Sequence, residues 1–169
     1  MSTSTLLHSL FRYKAWADED LLARLATLDP VAQQAQRHAA IRILDHVHVV
    51  DRIFAGHLRG TAHGYTATHT AETPTLEELS SALAVSDRWY VDHVVSLNPE
   101  ALSERIAFSF TDGASGCMSR EEMLVHVATH AGYHRGAVGR ILSQLSVEPP
   151  SDLFTAYLHT AEPARRARC

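Results

Sequence analysis

An all-α four-helix bundle, with a short β-hairpin before its fourth long helix and a short helix near the C-terminal end, is the fold this sequence predicts. Three observations carry that expectation. Four long runs place apolar residues at three- and four-residue steps, the period of a helix with one buried face. Each run ends at a Pro or Gly signal. One short stretch alternates instead with the two-residue period of a strand.

The first run, from about Thr5 to Leu28, carries Leu6, Leu10, Tyr13, Trp16, Ala17, Leu21 and Leu25 and stops at Asp29-Pro30. The second runs from about Gln36 to Leu58, with Ile43, Val47, Val50 and Phe54 on one face, and ends near Arg59-Gly60. A loop rich in Thr, His and Gly follows, Thr61 to Thr73. The third opens at Thr75-Leu76-Glu77-Glu78, where Thr75 caps and Glu78 reaches back, and continues through Leu79, Leu83, Ser86 and Tyr90 to about Leu97. Arg105 to Phe110 alternates as a strand, and Asp112-Gly113 with Gly116 supplies the turn of a hairpin. Ser119 caps the fourth helix, and Glu121 and Glu122 sit in its first turn near the positive helix end. After Val147-Glu148-Pro149-Pro150, Ser151-Asp152 starts a short helix that runs through His159. Four amphipathic helices with one longer crossing connection imply a bundle, and bundles build metal sites from side chains on facing helices.

At 169 residues the chain suffices for one domain with a full core, and no repeat or long linker divides residues 1–169. A formal charge of −4 argues against a nucleic-acid partner, which needs a clustered basic face. The only basic cluster is Arg165, Arg166 and Arg168, which reads as a solvated end. Cys117 and Cys169 belong to no CxxC pair and make no disulfide framework; Cys169, the last residue, does not suit a structural bridge. The opening MSTSTLLHSLFRYKAWADED lacks the pattern of a signal peptide, and no window approaches the ~20 apolar residues that span a bilayer. A cytoplasmic protein without membrane or nucleic-acid partners is the expectation.

The twelve histidines are spread along the chain, so a tag does not explain them. Three of them, His126, His130 and His134, stand at four-residue steps in the fourth helix. Side chains four apart stack on one face, about 5–6 Å between Cβ atoms, so two imidazoles can each offer a nitrogen to one divalent ion at about 2.0–2.1 Å. Met123, Val127, Val138, Ile141 and Leu145 share the angular sector of His130 and His134, which places these histidines on the core stripe. An unpartnered polar group buried there costs roughly 1–3 kcal/mol, and a metal is one way to satisfy it.

One ion cannot take all three. His126 and His134 are separated by roughly 12 Å along the axis, so either His126 with His130 or His130 with His134 forms the pair. His134 lies nearer the middle of the apolar stripe, which favours the second choice. An open, catalytic-type site needs a third ligand. The second helix offers His46, His48 and His57. His46 and His48 lie about 200° apart around the axis, so at most one faces inward. His46 borders the face of Ile43, Val50 and Ile53, whereas His48 sides with Arg52; His57 lies three turns further on. His46, His130 and His134 are therefore the candidate metal ligands.

The other residues have plainer readings. A single His on an apolar helix face is more often a hydrogen-bonded core histidine than a ligand. His126 itself reads as buried and hydrogen-bonded rather than as a donor behind the ligands. Tyr13 and Trp16 read as core packing, Cys117 as a small apolar residue. Asp51 reads either as a carboxylate that orients a ligand or as an ion-pair partner of a neighbouring Arg. Arg135, about 100° around the helix from His134, reads as an ion-pair member rather than an anion site. His8, His38, His63, His69, His93 and His159 read as surface or loop residues. Gly113 and Gly116 form turns and not a phosphate cradle, since no Lys-Ser/Thr pair follows.

The segments Leu10 to Asp18, Leu44-Asp45-His46 with Asp51, and above all His126-Val127-Ala128-Thr129-His130-Ala131-Gly132-Tyr133-His134-Arg135-Gly136 resemble the DinB-like family, damage-inducible helical-bundle proteins related to YfiT-type metal-dependent hydrolases. Phe110 to Gly113 and Pro149 to Asp152 resemble a subgroup of it. The resemblance covers nearly the whole chain. It implies a four-helix bundle, a divalent metal, commonly zinc or nickel, on His46, His130 and His134, and a homodimer. Its branches imply a thiol transferase or isomerase using a low-molecular-weight thiol, or a hydrolase, acting on a small-molecule substrate. Two departures stand out: Lys14 and Asp18 where the family often has Asn, and Phe54 where a Trp is frequent. They bear on packing or substrate rather than on metal.

Three neutral imidazoles leave an ion its charge and an open position, where it can lower the pKa of a bound water toward ~7 or act likewise on a thiol. No protein general base stands out. The alternative is a non-catalytic, stress-related metal-binding protein, which a fourth protein ligand such as His126 or Cys117 would favour. A plain bundle with satisfied core histidines is the third reading.

Overall fold

A computed structural model describes residues 3–167 of the chain; Arg168 and Cys169 lie outside the described residues. Four long helices carry the architecture: α1 (Thr3–Ala26), α2 (Gln34–Arg59), α3 (Leu76–Val95) and α5 (Arg120–Gln144). Between α3 and α5 come a one-turn helix α4 (Pro99–Ser103) and the hairpin β1 (Arg105–Ser109) and β2 (Ser115–Ser119). The strands pair antiparallel, with Ala107 opposite Cys117 and Phe108 opposite Gly116. A short helix α6 (Phe154–Ala161) and a 3-10 turn (Pro163–Ala167) follow α5. The all-α bundle with its small hairpin is thus the observed fold. Among the described residues no helix is long and apolar enough to cross a membrane.

The predicted caps form. Thr75 accepts from the Glu78 amide while Glu78 reaches back, and Ser119 and Glu122 repeat the arrangement at α5. Each such cap stabilises its helix by about 1 kcal/mol. Two boundaries differ from expectation for local reasons. Asn98-Pro99, read as a stop, also starts α4, because Asn98 caps the Ala101 amide and Pro99 fits the first helical position. The last helix begins at Phe154 rather than Ser151, because the Asp152 carboxylate is taken by Arg135 and Tyr13 instead of capping.

Around the bundle the neighbours run α1–α3–α2–α5. Two apolar clusters set the direction of each helix. One joins Leu7 and Phe11 of α1, Phe54 and Leu58 of α2, Tyr90 and Val94 of α3, and Met123 and Val127 of α5. The other joins Leu21 and Leu25, Ile41 and Leu44, Leu79 and Leu83, and Val138 and Leu142. Hence α1 and α5 run one way and α2 and α3 the other, and the segment from Gly60 to Thr75 must travel the length of the bundle. That crossover is the long connection the bundle requires. Its first residues suit a sharp reversal. Gly60 closes α2 at φ 67, a left-handed conformation costly for other residues. A Cβ on Gly56 would stand 2.9 Å from His63 Cβ, so the returning loop lies directly on α2.

Between the two apolar clusters lies a polar layer. Lys14, Asp18, Asp51, Asp87 and Arg135 are buried in it, and His46, His130 and His134 stand beside them half-buried.

Candidate metal centre

α2 and α5 pack side by side, and this brings His46 against His130 and His134. Ring centroids lie 5.0 Å apart for His46 and His130, 4.7 Å for His46 and His134, and 4.4 Å for His130 and His134. One ring nitrogen from each lies within 4.8 Å of the others, a set able to hold a metal ion. His46 and His130 approach closest, Nε2 to Nε2 at 3.1 Å. Two ligands at about 2.0–2.1 Å from a tetrahedral ion stand about 3.3 Å apart, so this spacing already suits a shared cation.

The protonation states fit as well. His46 Nδ1 donates to the Thr68 carbonyl at 2.7 Å, which leaves the lone pair on Nε2. The crossover loop that supplies this carbonyl is itself pinned to α2: Asp45, next to His46, accepts from the Thr70 amide and hydroxyl, both at 2.9 Å. Burial, then the neighbouring His134 and His46, lowers His130 to about 3. Burial and His46 lower His134 too. These rings are neutral near pH 7, the form that binds metal. His130 Nδ1 is buried with no hydrogen-bond partner among the described residues, so only His46 has its outer nitrogen anchored.

Of the other histidines, His126 does not join the group. Its ring lies 5.4 Å from His130 and 4.7 Å from Phe54. It is half-buried, with no hydrogen bond to its ring among the described residues, which corrects the expectation of a hydrogen-bonded core histidine. His48 points away beside Arg52, and burial, then Arg52, lowers it to about 4. His57 packs against His63 and Phe108 beyond the site. Cys117 is exposed on the hairpin.

Beside the histidines lies a charged cluster that links all four long helices. Lys14 is fully buried, its ammonium 2.9 Å from Asp18 and 2.6 Å from Asp87. Asp51 Oδ2 lies 2.8 Å away as an ion pair, while Asp51 Oδ1 has no hydrogen-bond partner among the described residues. Burial works against the Lys14 ammonium, yet Asp18, Asp51 and Asp87 together raise its pKa well above the ordinary lysine value. Burial pushes Asp51 up to about 6 and Asp87 up to about 7, against the pull of Lys14. Arg135 binds Asp18 at 2.9 Å and Asp152 at 2.8 Å, and Tyr13 donates to the same Asp152 carboxylate. Burial and Asp152 push the Tyr13 phenol up to about 12.

Arg135 therefore acts in a structural ion pair, and Asp51 pairs with Lys14 rather than with an arginine or a histidine. Tyr13 and Trp16 pack against Tyr157 of α6. Sequence reasoning missed the role of Lys14, although a signal existed. It follows Phe11 by three residues and precedes Leu21 by seven, so it shares their core stripe and needs buried partners.

No curated protein and no solved structure matches the chain. The sequence model of the DinB family matches residues 1–166, essentially the whole length. With the bundle, the crossover loop and the converging histidines described above, this chain belongs to the DinB family.

Proposed function

We propose that this DinB-family protein binds one divalent ion, zinc or nickel, through His46, His130 and His134, and is a metal-dependent enzyme of the thiol-transfer or hydrolytic type. The observation that carries the reading is the count of converging donors. Three imidazoles meet, and among the described residues no fourth side chain joins them. A three-ligand set leaves a position for water, for a low-molecular-weight thiol or for a small-molecule substrate. A bound ion supplies Lewis acidity there and eases deprotonation of whatever it holds.

The chain's own residues then have separable roles. Thr68 orients His46 through its outer N–H, as supporting groups do for metal-binding histidines. Asp45 and Thr70 hold the loop that carries Thr68. Tyr133, 79% exposed, stands with its ring 5.2 Å from that of His134. The homodimer belongs to this proposal through family membership alone.

The second reading, a metal-binding protein without catalysis, requires a closed site. Cobalt-loaded protein separates the two. Azide that perturbs the visible spectrum of the loaded protein, with turnover of thiol-transfer or ester substrates that is lost in His134→Ala, supports the enzyme. A spectrum indifferent to azide, with no turnover of either class, leaves the non-catalytic reading.

A further inference from the structure

A cavity of about 800 Å³ lies along α1 and α3, and none of the three converging histidines lines it. Leu22, Leu76 and Val91 contribute apolar wall, and Asp18 and Asp87 reach it from the polar layer. Sites for small molecules have this size, and here the apolar wall is joined by an equal share of polar and charged residues, among them Asp18, Glu19, Glu77 and Asp87. The two carboxylates are almost buried, 2% and 5% exposed.

The charges of the polar layer do not balance. Lys14 and Arg135 face Asp18, Asp51 and Asp87, one carboxylate too many, and Arg135 also serves Asp152. Asp18 has both oxygens engaged, one on Lys14 and one on Arg135. Asp51 is sealed from solvent. Asp87 differs: Lys14 holds its Oδ1, no other donor reaches it among the described residues, and it opens on the cavity. Glu19 and Glu77 add further negative charge to the lining, against Arg37 and Arg88. A buried carboxylate in this position is stabilised by a cation that arrives from the cavity side.

We propose that the cavity binds a small organic cation, a primary amine on a compact apolar body, with its ammonium on Asp87 and its body against the apolar wall. The same site takes up a proton when empty, since burial holds Asp87 near 7. An ammonium replaces that proton as the neutralising charge, and the proton leaves to solvent. The proposal does not rest on the metal reading.

Benzylamine, with benzyl alcohol and benzoate as neutral and anionic counterparts, titrated into the full chain by calorimetry tests it. Saturable binding of one benzylamine per chain is expected, with both counterparts at least about tenfold weaker. Asp87→Asn should weaken benzylamine by about the same factor. Should that variant fail to fold, Ala84→Trp fills the exposed edge of the cavity one turn before Asp87 and should also abolish binding. His130→Ala should leave the titration unchanged. Equal binding of benzyl alcohol, no saturable binding, or binding lost in His130→Ala overturns the proposal. So does a dimer that Ala84→Trp converts to monomer, because a second copy then covers the cavity.

Discussion

The histidine centre and the Lys14 cluster occupy the same layer of the bundle and meet burial in opposite ways. In the cluster, one ammonium is enclosed by three carboxylates from α1, α2 and α3, and a guanidinium from α5 joins them. Two cations there face three carboxylates, so charge is paired but not fully matched. At the centre, three imidazoles from α2 and α5 converge, and burial favours the neutral form of His130 and His134. One region is complete within the chain except for a single excess carboxylate, and the other brings together three ring nitrogens that no fourth side chain joins among the described residues. A closed ion network ties helices together; a set of unmatched donors awaits a ligand. The first ties the helices together, and the second is a set able to hold a metal ion.

The comparison breaks most visibly at Lys14. Lys14→Met leaves Asp18, Asp51 and Asp87 buried without their common counter-ion. A loss of about 3–5 kcal/mol of stability is expected, read from urea denaturation. A loss below ~1 kcal/mol would mean that the cluster does not hold the bundle. Gly56→Ala comes next. Its methyl would press on His63 and on the Thr61 carbonyl, 3.1 Å away, and a cost of about 1–3 kcal/mol is expected. Metal affinity should weaken too, since the loop that carries Thr68 must shift.

The pH response should have opposite sign in the two regions. His130 of the centre, and His48 outside it, have folded-state values of about 3 and about 4, below the ordinary 6.5. Their contribution is present above pH 6.5 and is lost as pH falls through the folded values, because the unfolded state binds more protons. Asp51 and Asp87 have values raised from 3.8 to about 6 and about 7. Their contribution is full below 3.8 and is lost as pH rises through about 6 to 7. Asp87→Asn, which keeps the neutral form at every pH, should therefore gain on the wild type as pH is raised from about 5 to about 8. Denaturation curves along that series check it; a constant difference would deny Asp87 its raised value.

Much of this was legible in the sequence, and the reason is periodicity. The four long helices, their capping boxes and the hairpin follow from apolar spacing and from Thr75, Ser119 and Asp112-Gly113, all local signals. His46, His130 and His134 were legible because two share a helix face and the third lies on a core-facing stripe. What was not legible depends on partners distant in sequence. Lys14 meets Asp87 across 73 residues and Arg135 meets Asp18 across 117, and no local pattern announces such pairs. Asp152 looked like a helix cap and became an ion-pair partner for the same reason. The crossover loop hid its part as well, since Thr68 acts on His46 through its backbone carbonyl and not its side chain.

The smallest effect on stability is expected where the effect on chemistry is largest. His130→Ala removes a neutral, half-buried ring and should change the stability of metal-free protein by no more than about 1 kcal/mol. The central claim is that this ring, with His46 and His134, holds the ion. Metal content by mass spectrometry on untagged protein, for the wild type and for His46→Ala, His130→Ala and His134→Ala, tests it most directly. About one divalent ion per chain in the wild type, lost in each variant while circular dichroism shows the helices intact, is the predicted result. A wild type that holds no ion even after reconstitution with zinc and nickel, or variants that retain it in full, would contradict the account.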